Sequence, residues 1–104
     1  MTLIGHKHQV SSAVFSADGA TVLTASNDKT AKVWDTITGQ CTKTLSGHSD
    51  CVCTAVFSAD GSSVLTAADD RTAKIWDTFA DKCTKTLSGH SGSVYTAVFS
   101  DRGL

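Results

Sequence analysis

The sequence predicts an all-β fold made of repeated units of four short antiparallel strands, and three observations carry that expectation. The 104-residue chain repeats with a period of 42: Gly5-His6 to Trp34-Asp35 recurs as Gly47-His48 to Trp76-Asp77, and Gly89-His90 opens a third copy. Setting residues 1–42 over 43–84 matches 25 of 42 positions. Within each copy, short runs alternate apolar and polar residues, and turn residues interrupt them every ~8 to 12 positions, the spacing of antiparallel strands rather than helices.

Taken in order, the first copy starts with a strand near Val10–Phe15, whose apolar residues end at Ser16-Ala17-Asp18-Gly19. Gly19, like Gly61 in the second copy, supplies the positive φ that a tight hairpin needs. A second strand follows near Thr21–Ala25, and Asn27-Asp28-Lys29 turns the chain into a third at Thr30–Trp34. Thr36 to Gly39 turns it again into a fourth at Gln40–Leu45. The second copy repeats the series at Val52–Phe57, Ser63–Ala67, Thr72–Trp76 and Lys82–Leu87. Thr2–Ile4 has the character of the end of a fourth strand, and Val94–Phe99 that of a first strand.

Gly-His, Phe-Ser-Ala-Asp-Gly, Val-Leu-Thr-Ala, an Asp, Thr-Ala-Lys and Trp-Asp in fixed register resemble the WD40 repeat of β-propellers. The resemblance covers nearly the whole chain and implies WD40-like blades of four antiparallel strands in a partial propeller: repeats at 5–46 and 47–88, and the start of a third at 89–104. Two departures stand out. The family usually has proline where this chain has Ala17 and Ala59, and the chain contains no proline, so these turns are expected to be less rigid. The third copy reads Ser100-Asp101-Arg102-Gly103 where the others read Ser-Ala-Asp-Gly.

Each full copy holds four chemically capable side chains at one spacing: His6, Thr24, Asp28 and Trp34, then His48, Thr66, Asp70 and Trp76. A hydroxyl, an imidazole and a carboxylate invite comparison with a nucleophile triad. A catalytic array also needs an exposed nucleophile and an oxyanion site, and the same set occurs twice. The resemblance implies instead a buried row running Asp to His to Thr to the indole N–H. Such a row would fix strand register, because each of those groups is costly to bury unpaired. His90 is expected to play the same part in a third blade. A His- or Cys-dependent enzyme is therefore the weakest of the function classes.

A net charge of −1 gives no long-range field, and Lys and Arg sit at repeat-equivalent places such as Lys32 and Lys74, so nucleic acid is not expected as a partner. No apolar run approaches the ~20 residues of a membrane span, and the N-terminus has no basic-then-apolar leader pattern. These features lead to the expectation of an intracellular, cytoplasmic protein with no membrane association. Of four cysteines, Cys41 and Cys83 lie one period apart, while Cys51 and Cys53 belong to the second copy alone. Cys-x-Cys without a second ligand pair falls short of a zinc site, so reduced structural thiols, no metal and no cofactor are expected.

Alignment of the copies assigns Val10, Ala13, Val14, Phe15, Val22, Leu23, Ala25, Val33 and Leu45 to the core, with Val52, Ala55, Val56, Phe57, Val64, Leu65, Ala67, Ile75 and Leu87 as their counterparts. The copies differ at Lys7-His8-Gln9 against Ser49-Asp50-Cys51, and at Asn27 against Asp69. In WD40-like propellers the loops bearing these residues share one face. Lys7, His8, Gln9, Asn27, Asp50, Cys51 and Asp69 are therefore the candidate contacts of a non-catalytic scaffold for protein partners. The alternative is architectural, with further propeller blades, in a longer chain or in another copy, as the main partners. On that alternative, residues 1–104 alone are expected to associate through their uncovered faces.

Overall fold

A computed structural model describes residues 5–6, 8–79 and 82–88; Lys7, His90 and the strands expected at Thr2–Ile4 and Val94–Phe99 lie outside them. The described residues contain eight strands: β1 Val10–Phe15, β2 Thr21–Ser26, β3 Thr30–Asp35, β4 Cys41–Ser46, β5 Val52–Phe57, β6 Ser63–Ala68, β7 Ala73–Asp77 and β8 Lys82–Leu87. They make two four-stranded sheets, β1-β2-β3-β4 and β5-β6-β7-β8, antiparallel throughout. The eight strands expected within the described residues are all present, with limits displaced by a residue at most.

Each sheet carries two register shifts that sequence alternation does not reveal. One lies in the first strand, between Val10 and Ser12 and between Val52 and Thr54. The other sets Trp34 opposite Cys41 and Trp76 opposite Cys83, leaving Thr42 and Thr84 as extra residues. The hydroxyl of Thr42 donates to the Val33 carbonyl at 3.2 Å, and that of Thr84 to Ile75 at 3.1 Å. The side chain thus occupies an acceptor at the point where the bulge interrupts the ladder.

The Asp-Gly hairpins are held by side chains in place of proline. Asp18 Oδ1 accepts from the Ser16 hydroxyl at 2.7 Å and the Ala20 amide at 2.9 Å, and Gly19 takes φ 72°. A Cβ on Gly19 or Gly61 would meet nothing within 4 Å, so backbone conformation alone requires glycine there. The amides of Ala17 and Ala59 make no hydrogen bond among the described residues. Ala17→Pro and Ala59→Pro are therefore expected to raise unfolding free energy by about 0.4 to 1 kcal/mol each, by restricting the unfolded chain. A lowered midpoint in urea would show that the turn's φ is incompatible with proline.

The apolar core lies between the two sheets, where β5 packs against β1, β2 and β3. Leu23, Ala25, Val33 and Leu45 of the first sheet meet Val52, Ala55, Val64 and Trp76 of the second in one buried cluster. This geometry corrects part of the expected core. Val52 and Ala55 are buried, yet their counterparts Val10 and Ala13 are exposed; Phe15 is 70% exposed, and Leu87 is 45% exposed where Leu45 is 2%. The side chains are matched, but β5 is covered by the first sheet while the outward side of β1 has no sheet against it among the described residues.

Candidate functional site

The repeated His, Thr, Asp and Trp converge at the end of each sheet nearest the β2–β3 and β6–β7 turns. In the second sheet the Trp76 indole N–H donates to Thr66 Oγ1 at 2.9 Å. Thr66 Oγ1 lies 2.6 Å from His48 Nε2, and His48 Nδ1 lies 2.9 Å from Asp70 Oδ2. An ionised carboxylate only accepts, so the ring proton sits on Nδ1 and donates to Asp70. The Thr66 hydroxyl then donates to Nε2 and its oxygen takes the indole proton. Every donor in the row has an acceptor. The first sheet repeats the row: Trp34 to Thr24 at 2.8 Å, Thr24 to His6 at 2.6 Å, His6 to Asp28 at 2.7 Å.

The carboxylate end is anchored further. Asp70 Oδ1 accepts from the Thr72 amide at 3.0 Å and from its hydroxyl, and Oδ2 accepts from the Ser49 amide at 3.0 Å. Thr24 and Thr66 are 5% and 0% exposed, so these two hydroxyls face the interior.

Burial pushes the Asp70 carboxyl up, but hydrogen bonds from Thr72, His48 and Ser49 outweigh it and bring it down to about 2. For His48, burial dominates over the attraction of Asp70 and lowers the imidazole below its ordinary value of 6.5. In both cases the unfolded chain takes up protons that the folded chain refuses, so stability rises with pH across each window. The His48 contribution is present above about pH 6.5 and is lost as the pH falls below it. The Asp70 contribution is lost between about pH 4 and pH 2. Urea unfolding is expected to show level stability from pH 8 to 7 and a decline below 6.5. A profile flat down to pH 4.5 would contradict the neutral buried imidazole.

The glycine before each histidine has a steric reason that sequence reading missed. A Cβ on Gly5 would lie 2.9 Å from Cη2 of Trp34, and one on Gly47, at φ 151°, would lie 3.2 Å from Cη2 of Trp76. The indole packs on bare backbone there. The aspartate after each tryptophan serves the next turn: Asp35 Oδ1 accepts from the Ile37 amide at 2.7 Å and the Thr38 amide at 3.0 Å.

The loops at this end carry several of the residues that differ between copies, among them Gln9 against Cys51 and Asn27 against Asp69. Asn27 donates its amide to the Gln9 carbonyl at 2.8 Å, and its side-chain oxygen accepts from Ser11 at 3.1 Å. Buried Ser26 donates toward the His8 and Gln9 carbonyls at 3.3 and 3.1 Å. Across the sheet boundary, Cys51 Sγ lies 3.6 Å from the Asn27 carbonyl. Asp69 donates its amide to the Cys51 carbonyl at 2.9 Å, and its carboxylate accepts from Cys53 Sγ at 3.1 Å. His8, Gln9, Asn27, Asp50, Cys51 and Asp69 thus occupy one continuous edge. Donor atoms of Asp50, Cys51 and Asp69 lie within 4.8 Å of one another and would be the ligands of any ion held there. Burial and the flanking carboxylates raise both thiols, Cys53 to about 12, which disfavours a free thiolate at either position.

Comparison with known proteins gives a family-model match, "WD domain, G-beta repeat", to residues 1–35, 39–77 and 81–104. The chain is 46% identical to a WD repeat-containing protein 89 homolog of Dictyostelium discoideum, over 41% of this chain and 12% of that protein. It is 55% identical to the vegetative incompatibility protein HET-E-1 of Podospora anserina, over 36% of this chain and 3% of that protein. It is 40% identical to the nuclear distribution protein PAC1-2 of Uncinocarpus reesii, over 42% of this chain and 11% of that protein. These matches span 3% to 12% of the relatives' lengths. Among the described residues, no helix is long and apolar enough to cross a membrane.

Proposed function

Because the chain belongs to the WD40-repeat family, whose model matches nearly all of it, we propose that it is a protein-interaction scaffold whose partner docks on the loop edge bearing His8, Gln9, Asn27, Asp50, Cys51 and Asp69, with Lys7 alongside them in sequence. WD40-repeat proteins are in general non-catalytic scaffolds for other proteins, and the loop edge is the finer assignment. One observation carries it: His8, Gln9 and Asn27 differ from their counterparts Asp50, Cys51 and Asp69, and the Cys51–Asn27 contact joins the two sets into one surface across both sheets. A surface that departs from its own repeat, on a scaffold that keeps it, is where specificity toward a partner would reside. The buried rows beneath are framework: they tie the loop before the first strand to β2 and β3, and so hold the edge in place.

The test is a binding measurement on a captured partner with Asn27→Ala, Asp50→Ala and Asp69→Ala combined. About tenfold weaker binding is expected, and a cooperative urea transition of the variant checks that it stays folded without the contacts from Ser11 and Cys53. Hydrogen-exchange protection confined to Thr36–Gly39 and the β7–β8 turn at the other end would defeat this assignment. A second, architectural reading is favoured by the exposure of Val10, Ala13 and Phe15, whose counterparts in β5 are covered by a neighbouring sheet. On that reading the outward side of β1 takes a further blade, in a longer chain or another copy, and it is compatible with the first.

A further inference from the structure

At the ends of the strands away from the loop edge, a groove of about 450 Å³ runs between the two sheets. Its apolar surface comes from Val33, Phe57 and Phe79, and Asp18, Asp60 and Lys43 stand at its sides. Asp18, Phe57 and Asp60 also line an adjoining recess of about 270 Å³ between the two Asp-Gly hairpins. Three features distinguish this groove from a packing gap.

First, Phe79 is 83% exposed and its repeat counterpart Ile37 is 90% exposed, so this turn position is apolar in both copies and buried in neither. Large apolar side chains kept in water beside a groove mark an interaction surface more often than a structural one. Second, the two carboxylates are fixed in place. Asp18 Oδ1 is taken by Ser16 and Ala20, and Asp60 Oδ1 by Ser58 and Ser62. The Oδ2 atoms make no hydrogen bond among the described residues and can accept from a ligand. Third, the charge has a sign: among the described residues that line the groove, two exposed carboxylates stand against the ammonium of Lys43, and hydrogen bonds from Ser62 and Ser58 bring Asp60 down to about 2, so it is ionised at any physiological pH.

We propose that this groove is a second docking site, for an extended peptide segment that lays an apolar side chain against Phe57 and Val33 and sets an arginine between Asp18 and Asp60. Arginine suits the site better than lysine because a planar guanidinium can rest on the face of Phe57 while it donates to carboxylates on either side. The groove volume fits a few side chains rather than a folded domain. This surface is independent of the loop edge, and each blade junction of the same repeat type would build one like it, with Phe15 and Asp18 as the equivalents in the first copy.

The probe is a fluorescein-labelled, end-blocked peptide, Gly-Ser-Leu-Arg-Gly-Ser, followed by anisotropy at low salt, with twins carrying Glu or Lys in place of Arg. Binding of the Arg peptide is expected, with the Lys twin weaker and the Glu twin about tenfold weaker. The double variant Asp18→Asn, Asp60→Asn, in which the amide oxygens can still accept the turn hydrogen bonds, should bind about fivefold more weakly. Phe79→Ser should weaken binding and Lys43→Glu should strengthen it, which keeps the proposal testable even if the double variant folds poorly. Absence of binding, equal binding of the Arg and Glu peptides, or no response to either Phe79→Ser or Lys43→Glu would overturn it. The loop-edge assignment stands or falls separately, since its partner is measured on Asn27, Asp50 and Asp69.

Discussion

Trp76→Ala is expected to cost about 3 to 5 kcal/mol of unfolding free energy, the range for removing a buried aromatic side chain. Trp76 is 3% exposed and belongs to the core cluster shared by both sheets. Its ring also covers Gly47, so the cavity would open on one side to bare backbone, which cannot collapse inward. Domains of this size have only ~5 to 15 kcal/mol in total, so the variant should be partly unfolded at 37 °C. Urea unfolding followed by the remaining Trp34 would measure the loss. Trp76→Phe should recover about half of it, because a phenyl ring fills most of the space but brings no N–H for Thr66. A loss below about 1 kcal/mol for the alanine variant would mean that the indole is not part of a tight core.

Asp70→Ala should have the next largest effect, about 2 to 4 kcal/mol, although far fewer atoms are removed. The carboxylate accepts from His48 Nδ1, from the Ser49 and Thr72 amides and from the Thr72 hydroxyl. Deleting it orphans several donors at once, each costing about 1 to 3 kcal/mol if it stays dry. Asp70→Asn distinguishes this explanation from simple loss of charge: it keeps an acceptor for the turn but presents an amide N–H₂ or a neutral oxygen to the imidazole, so it should fall between wild type and alanine. Asp70→Ala should also remove the Asp70 share of the stability lost between about pH 4 and pH 2. A melting temperature unchanged by Asp70→Ala would show that the row does not hold the fold.

The strands and the chemistry of the row were legible in the sequence because both are local or repeated signals. Alternation located all eight strands within a residue, and the constant spacing of His, Thr, Asp and Trp singled out the residues that the fold brings together. Other features were hidden for identifiable physical reasons. Lys29 and Arg71 take positive φ, 76° and 70°, where glycine is the usual occupant, so no residue type signalled the conformation. The bulges at Thr42 and Thr84 fall inside runs that read as regular strand. Phe15 and Leu87 looked like core because burial was inferred from the residue and its counterpart, whereas it depends on which sheet stands opposite. Gly5 and Gly47 read as part of a motif, but their reason is a tryptophan ring 29 positions further along the chain.

The purely sequential strand order has a consequence for how the chain finds its fold. Two units matching at 25 of 42 positions offer a rival for nearly every pairing: β1 could align with β6 instead of β2 and keep the same faces inward. Contact energies barely separate the two arrangements. Chain connectivity does, because β1 with β2 closes a loop of about 5 residues and β1 with β6 one of about 47, a difference of about 2 kcal/mol in closure entropy. The near pairing also forms first, since short loops close fastest. Meander topology therefore works as a proofreading device for a self-similar sequence. Lengthening the Ser16–Ala20 hairpin with a flexible insert would erode it, and the first symptom would be exchanged strands between units rather than loss of β structure.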